Sequence, residues 1–345
     1  MTNGFGAVLR SRTTAVVVVV TLVVLLLAEA GVRAVESRLP TPLQWHNLEA
    51  QVKVAQMDAL AKRGGADVVF VGSSIVRNAV EPDIVDQGLR PNETAYNAGL
   101  TAGIPRLTEL WTRDVVLPKL HPKLLVIGLN SFDLDANPPS RTAFYDAFVA
   151  APAARRALGR SDVLDHVDRW LGDRFALWDN RQALRSPSDI LDAIRGKKAE
   201  IPPDVAGLEA NGRDTYLENN TFDQRDRLAG LPVQDWAPGT ADLAAVQRLV
   251  VAARAANIAV ALVDMPVTEE FVAKHPHGEA DYTTFLGLLR GAARSLGVPL
   301  IELDSMRDTA YFADDVHMNL IGARAFTTAL MAELQNDGLL TGLAG

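Results

Sequence analysis

The chain has 345 residues, of which 48% are hydrophobic and 22% charged, so its composition predicts a packed globular core and excludes global disorder. The net charge is −8 and no basic block stands out, so we expect no nucleic-acid partner. The sequence contains no cysteine, which excludes a disulfide framework, a thiolate zinc site and a cysteine nucleophile.

An almost pure Val/Leu run extends from Thr13 to Ala28 at the N-terminus, preceded by Arg10 and Arg12. Three interpretations stay open, and two of them place the run at a membrane. The run is either an uncleaved signal anchor, or a signal peptide cut after the small-x-small motif Ala28-Glu29-Ala30. In both cases the rest of the chain is exported. A buried core helix is the third interpretation, and a Val/Leu run at the extreme N-terminus fits it poorly.

Short apolar runs then alternate with helical patterns along the chain. This alternation predicts a parallel sheet covered on both faces, and right-handed crossovers make it a three-layer α/β/α sandwich. We predict strands at Asp67–Gly72, Glu93–Asn97, Lys123–Leu129, Ile258–Asp264 and Pro299–Leu303, and helices at Ile104–Leu117, Ala241–Ala256, Tyr282–Leu296 and Leu320–Leu334.

The stretch from about 133 to 239 interrupts the alternation. It is polar, carries helical patches at Ser161–Leu171 and Ser188–Ile194, and is too long for a plain connection. We interpret it as a helical insertion over the active edge, a lid or substrate platform; an insertion without substrate contact is the alternative. The chain thus divides into an N-terminal membrane or signal segment and stem, 1–38, and an exported domain, 39–345.

A candidate nucleophile follows the first strand. Gly72 permits a tight turn, and Ser74 then stands at the start of the next segment, where backbone N–H groups are unsatisfied. This position exposes the hydroxyl and offers the Ser74 N–H to an oxyanion. Ser73 is the neighbouring serine, and a plain cap or turn is the competing interpretation.

Two further strand ends carry candidate oxyanion donors. Gly99 follows Asn97-Ala98, and a glycine lets the backbone approach a ligand and present its N–H. Asn130 ends the third strand, where a side-chain amide can donate to a developing negative charge. Each of them, taken alone, is typical of an ordinary turn.

A candidate base lies near the C-terminus, in the fragment Asp314-Asp315-Val316-His317. The spacing lets Asp314 accept from one ring nitrogen of His317 while the other nitrogen faces a serine. Asp315 is the alternative orienting carboxylate. No second histidine or acidic cluster completes a metal set, so we expect no metal at this site. We expect no cofactor either, since no phosphate-binding glycine loop follows the first strand.

With these residues assembled, the chain resembles the SGNH (GDSL-like) hydrolase superfamily, whose four blocks centre on Ser, Gly, Asn and His. The resemblance implies a flavodoxin-like sandwich, with Ser74 as nucleophile, Gly99 and Asn130 as oxyanion donors beside the Ser74 N–H, and His317 with Asp314 as base and orienter. Two blocks depart from the common pattern: Gly-Ser-Ser replaces Gly-Asp-Ser, and Gly-Leu-Asn-Ser replaces Gly-x-Asn-Asp.

The anchor followed by such a domain is also similar to membrane-tethered members of cell-envelope acylation systems, such as those for D-alanylation of teichoic acids or O-acetylation of exported polysaccharides. That resemblance implies an acylated glycan, polymer or small ester as substrate, and a membrane acyltransferase as a partner. Hydrolysis and acyl transfer use the same residues and both stay open. A non-catalytic binding protein is the alternative from another class.

Overall fold

The computed structural model describes residues 12–136, 139–223, 233, 235–303 and 305–341. Arg10, which precedes the apolar run, lies outside this part of the chain. The chain forms two compact units. One unit combines Met1–Gln44 with Arg160–Ile201, and the other combines Trp45–Gly159 with Pro202–Gly345.

The larger unit is built on a five-stranded parallel sheet. Its strands are β1 (Val68–Val71), β2 (Ala95–Asn97), β3 (Leu124–Leu129), β4 (Ala259–Asp264) and β5 (Leu300–Glu302). They lie in the order β2-β1-β3-β4-β5. The register pairs Val68 with both Ala95 and Leu124, so the first three strands begin at one level. This result confirms the predicted α/β class, and the order is that of flavodoxin-like doubly wound sheets.

The central strands are continuous apolar runs because both of their faces are covered. All four residues of β1 and all six of β3 are buried. The chain order reverses direction between β1 and β3, and in such sheets this switch point is where a crevice opens at the carboxyl ends of the strands.

Helices cover both faces of the sheet in the larger unit. The helices in chain order are α1 (Arg12–Val35), α2 (Leu48–Ala61), α3 (Ser74–Ala79), α4 (Pro82–Gly88), α5 (Pro105–Trp111), α6 (Leu117–Leu120), α7 (Pro139–Ala150), α8 (Pro152–Ala157), α9 (Val163–Gly172), α10 (Ala176–Asp179), α11 (Pro187–Ile194), α12 (Pro203–Ala206), α13 (Thr240–Ala255), α14 (Glu269–Ala273), α15 (Glu279–Leu296) and α16 (Leu320–Asn336). In the larger unit α13 packs on α5 and α15, and α16 packs on α3 and α4.

The smaller unit contains α1 together with α9, α10 and α11. Its own core is small and is built from Val32, Leu39, Ala176, Ala183 and Ala193. By length and composition α1 is apolar enough to cross a membrane. Its Val and Leu side chains are largely exposed, with Leu26 and Leu27 each 68% accessible.

The region predicted as one insertion is thus divided between the two units. Residues 160–201 group with the N-terminal segment, whereas the flanking parts belong to the unit that holds the sheet. A role as a lid over the active edge stays a prediction.

Candidate active site

Ser74 is the first residue of α3, directly after β1. Its N–H belongs to the first turn of the helix, where no intrahelical acceptor is available. Its hydroxyl is partly exposed, and Oγ lies 2.8 Å from Nε2 of His317. A serine and a histidine separated by more than 240 residues therefore meet within hydrogen-bonding distance.

The sharp turn into α3 depends on Gly72, which has a φ of +157°. A Cβ at this position would lie 2.7 Å from the carbonyl oxygen of Gly128 and 2.4 Å from Cγ2 of Val76. Only a glycine lets the ends of β1 and β3 approach this closely while the chain turns into the helix.

His317 is held by a short turn that Asp314 closes. Oδ1 of Asp314 accepts from the N–H of Val316 at 2.9 Å and of His317 at 2.7 Å, while Oδ2 lies 2.7 Å from Nδ1 of His317. A backbone bridge between Phe312 and Met318 frames the turn. The carboxylate thus fixes the backbone and the ring together, leaving Nε2 directed at Ser74.

The environment of Asp314 keeps it ionised. Burial alone would raise the pKa of this carboxyl. The charge of His317, the hydrogen bond from its ring and the two backbone N–H groups outweigh burial and hold the pKa of Asp314 below its ordinary value. An anionic Asp314 favours the tautomer of His317 that carries its proton on Nδ1, so Nε2 is free to accept.

Asp315, the alternative orienting carboxylate, is engaged elsewhere. Its Oδ2 forms an ion pair with Lys274, and its backbone carbonyl accepts from Thr268. The ring of His317 contacts Asp314 instead.

Asn130 lies at the end of β3 and is fully buried. Its Oδ1 accepts from the N–H of Asp133 at 3.2 Å, and the Asp133 side chain accepts from the N–H of Asn130 in return. The Nδ2 group has no hydrogen-bond partner among the described residues. A buried amide donor without an acceptor is costly, and a transition-state oxyanion is one group that would satisfy it.

Gly99 has a packing role that the sequence does not reveal. Its N–H donates to Oδ1 of Asn97 at 3.1 Å, and a Cβ would lie 2.8 Å from the backbone nitrogen of Arg77. Asn97 in turn donates from Nδ2 to the carbonyl groups of Val76, Arg77 and Val80 at the end of α3. The glycine therefore brings the end of β2 against α3, and its role as an oxyanion donor stays a prediction.

A buried ionic cluster behind α3 was missed by sequence reasoning. Arg77, one turn after Ser74, pairs with Glu49 at 3.1 Å and with Asp214 at 2.8 Å, and it donates to Thr101 Oγ1 at 2.6 Å. Buried charges persist only when paired in this way. The cluster joins α2, α3 and the 202–219 segment, and its partners are too far apart in sequence for any spacing motif to reveal them.

Lys53 extends the same cluster and is completely buried. Its Nζ donates to the carbonyl oxygens of Asn97 at 2.7 Å and Gly212 at 2.8 Å. Burial lowers the pKa of Lys53 to about 7, although the charge of Glu49 partly opposes the shift. The lysine therefore joins the last residue of β2 to the 202–219 segment. Among the described residues no three His, Asp or Glu side chains are grouped as a metal site would require.

The chain is similar to several solved structures. A putative acylhydrolase from Bacteroides fragilis is 15% identical, with 85% of this chain and 98% of that chain covered and a TM-score of 0.41. An acetyl xylan esterase is 15% identical over 78% and 99% of the two chains, with a TM-score of 0.39. A GDSL-like lipase from Bacteroides thetaiotaomicron is 13% identical over 84% and 98%, with a TM-score of 0.40.

No protein-family model matches the sequence, and no curated protein matches it. At these identities and TM-scores, similarity to the solved structures does not indicate the activity of this chain. The functional conclusion therefore depends on the geometry of the site itself.

Proposed function

We propose that this chain is a serine-dependent esterase or O-acyltransferase that acts on an acyl ester of a cell-envelope glycan or polymer. The observation that carries the proposal is the hydrogen-bonded series from Ser74 Oγ to His317 Nε2 at 2.8 Å and from His317 Nδ1 to Asp314 Oδ2 at 2.7 Å. A nucleophile, a base and an orienting carboxylate in this order are the parts that acyl transfer needs.

In the first step Ser74 Oγ attacks the acyl carbonyl carbon while its proton passes to Nε2 of His317. The imidazolium that forms is stabilised by the anionic Asp314, whose lowered pKa keeps it charged throughout. The carbonyl oxygen becomes an oxyanion in the tetrahedral intermediate, and the N–H of Ser74 and Nδ2 of Asn130 are the proposed donors to it. The Gly99 N–H becomes a third donor only if it leaves Asn97 Oδ1.

Collapse of the intermediate breaks the ester bond. His317 returns its proton to the leaving oxygen, and the acyl group stays on Ser74 as an ester. In the second step a water molecule or a sugar hydroxyl attacks this ester and gives its proton to Nε2 of His317. His317 then passes this proton to Oγ of Ser74 as the acyl–oxygen bond breaks, which restores the serine hydroxyl and the neutral imidazole. The two acceptors distinguish hydrolysis from transfer, and the same protein groups act in both.

For location we propose that α1 is retained as a membrane anchor and that the larger unit lies on the extracytoplasmic side. Support comes from contacts of Glu29, whose carboxylate accepts from the N–H groups of Ala176 and Leu177 at 2.8 and 3.0 Å. Cleavage after Ala30 would remove Glu29 from the smaller unit, so these contacts favour the anchor over the cleaved signal peptide.

The anchored location favours an envelope substrate over a soluble metabolite. A domain held beside the membrane meets acylated glycans and lipid-linked polymers at high local concentration. An acyl group esterified to a sugar hydroxyl has the carbonyl that the proposed chemistry requires.

The test uses the full chain in detergent, with p-nitrophenyl acetate as acyl donor, with and without an acetyl-free acceptor glycan. The matched pair is Ser74→Ala and Ser73→Ala, since Ser73 is the adjacent serine and its buried Oγ has no partner among the described residues. We expect Ser74→Ala to lose turnover and fluorophosphonate labelling, and Ser73→Ala to keep both. An acetylated glycan as product would identify a transferase, and acetate alone an esterase. Full activity of Ser74→Ala would refute the proposal. A folded wild-type chain whose Ser74 is not labelled by the fluorophosphonate would favour a binding role.

A further inference from the structure

The smaller unit carries a set of apolar side chains that face away from its core. On α9 these are Val163, Leu164, Val167 and Trp170, and just beyond α9 are Phe175 and Trp178. Val163 and Leu164 are each 75% exposed and Trp170 is 50% exposed. We call these six residues the apolar face.

The apolar face is a regular feature of one helix. At 3.6 residues per turn, Val163, Leu164, Val167 and Trp170 fall within one stripe of α9, while Asp165 and Arg169 fall on the opposite side. A helix with a polar side and an unburied apolar side is the form taken by helices that lie in a membrane interface.

Polar contacts join α9 to α10. Oδ1 of Asp168 accepts from Nε1 of Trp178 at 2.8 Å and from Arg181 at 2.9 Å. Trp178 is thereby held with its indole N–H satisfied and its ring partly exposed. The apolar face is therefore a fixed surface of the smaller unit.

The same unit fixes this surface relative to α1. Glu29 on α1 accepts from the first N–H groups of α10, and Arg33 pairs with Glu29 at 2.8 Å and donates to the carbonyl of Arg174 at 2.6 Å. These polar contacts lie where the apolar run of α1 ends, which is where a membrane-spanning helix leaves the hydrocarbon.

On the N-terminal side of the Glu29 and Arg33 contacts, apolar side chains of α1 lie next to the apolar face. Leu22, Leu25 and Leu26 of α1 line one wall of a groove, and Phe175 and Trp178 line the other. Leu25 lies about 6 Å below Glu29 along the helix, at 1.5 Å per residue. The exposed aromatic rings are thus continuous with side chains that the anchor would place in lipid.

Two of the aromatic rings are paired with guanidinium groups. Arg174 lies over the ring of Trp170 at 4.5 Å, and Arg181 lies over the ring of Trp178 at 5.1 Å. Tryptophan concentrates at the membrane–water interface because its ring is apolar and its N–H is polar, and arginine can reach the lipid phosphates from the same depth.

From this combination we infer that the apolar face docks on the lipid bilayer, with α9 lying in the headgroup region beside the point where α1 enters the membrane. The inference rests on the proposed membrane anchor, and it adds a second membrane contact made by residues 163–178. The occupant is lipid, because the face is continuous with the membrane-spanning run of α1 and because Arg174, which lies over the ring of Trp170, is suited to a phosphate headgroup.

The absence of cysteine allows a direct test, since any introduced cysteine carries the only label. Single-cysteine variants of the full chain are spin-labelled and reconstituted in phosphatidylcholine/phosphatidylglycerol vesicles. Leu164→Cys reports on the apolar face and Arg169→Cys on the opposite side of the same helix. Val20→Cys reports on the anchor. Ile321→Cys is the matched control, an apolar residue 65% exposed on the larger unit.

Two accessibilities are measured for each spin label, one to oxygen, which concentrates in lipid, and one to a water-soluble nickel chelate. Their ratio, the oxygen-to-nickel ratio, is high for a label in lipid and low for a label in water. We expect the oxygen-to-nickel ratio at Leu164→Cys to exceed those at Arg169→Cys and Ile321→Cys several-fold, and to approach that at Val20→Cys. A ratio at Leu164→Cys equal to that at Ile321→Cys, with Val20→Cys in lipid, would overturn the inference while the anchor stands. An aqueous Val20→Cys would overturn the anchor itself. A Leu164→Cys label shielded from both reagents would indicate a protein partner and would also overturn the inference.

Discussion

Replacing Asn130 by alanine separates the role of this residue in catalysis from its role in the fold. The Nδ2 group is buried and has no partner in the part of the chain that the structure describes, whereas Oδ1 caps the turn after β3 by accepting from the N–H of Asp133. Loss of such a cap costs about 1 kcal/mol, and removal of an unsatisfied buried amide returns about 1–3 kcal/mol. The two effects oppose each other, so we expect the free energy of unfolding to stay unchanged or to rise by no more than about 2 kcal/mol.

The effect on catalysis is expected to be larger. If Nδ2 donates to the oxyanion only in the transition state, Asn130→Ala lowers kcat by roughly 100- to 1,000-fold, which corresponds to about 2.7–4 kcal/mol. The Michaelis constant changes little, because the ground-state ester makes little use of the donor. The assay is steady-state hydrolysis of p-nitrophenyl acetate, combined with urea unfolding of each variant.

Asn47→Ala is the matched control. Asn47 also caps a helix through its side-chain oxygen, which accepts from the N–H of Ala50 at 2.8 Å. This variant should lose about 1 kcal/mol of stability and keep kcat. A kcat for Asn130→Ala within about fivefold of the Asn47→Ala value would contradict the assigned donor role, since one lost donor is worth far more than that.

Substitutions of Asp314 and Lys53 test the orientation of His317 and the two shifted pKa values. Asp314→Asn keeps an acceptor for the two backbone N–H groups but reverses the tautomer of His317, so we expect kcat to fall by about 10⁴-fold, measured by single-turnover kinetics. The pKa of Asp314 is lowered in the folded state, so ionised Asp314 stabilises the fold fully above about pH 5 and loses this effect as the pH falls below about 4. The difference in free energy of unfolding between wild type and Asp314→Asn, measured by urea unfolding, should therefore narrow in acid. A difference that stays constant with pH would contradict the lowered pKa of Asp314. The pKa of Lys53 is lowered to about 7 in the folded state. Between about pH 7 and 10 the unfolded state therefore binds more protons than the folded state, and the free energy of unfolding rises with pH. Lys53→Met should remove this rise, and an unchanged slope would contradict the lowered pKa of Lys53.

The elements that the sequence predicts well are those whose signal is local. The buried strands β1, β3 and β4 are continuous apolar runs, and the structure confirms each within one residue at either end. The Asp-x-x-His spacing also determines a local turn, in which the carboxylate reaches the ring of the same fragment.

What the sequence does not predict depends on contacts between distant segments. The Asn97 side chain accepts the Gly99 N–H only because α3 packs across the end of β2. The pairing of Arg77 with Glu49 and Asp214 joins three segments with no common motif. Likewise, nothing in the pattern of residues 160–201 indicates that they group with the N-terminal segment, because the Glu29 contact that joins them spans almost 150 residues.

The central claim is that the hydroxyl of Ser74 carries the acyl group. The most direct measurement is an acid quench of the full chain during turnover of p-nitrophenyl acetate, followed by peptide mass spectrometry. We expect one added acetyl group, located by fragmentation on Ser74 and absent from Ser74→Ala. An acetyl group on Ser73 or on His317, or turnover at the full rate with Ser74 unmodified and Ser74→Ala active, would contradict this claim.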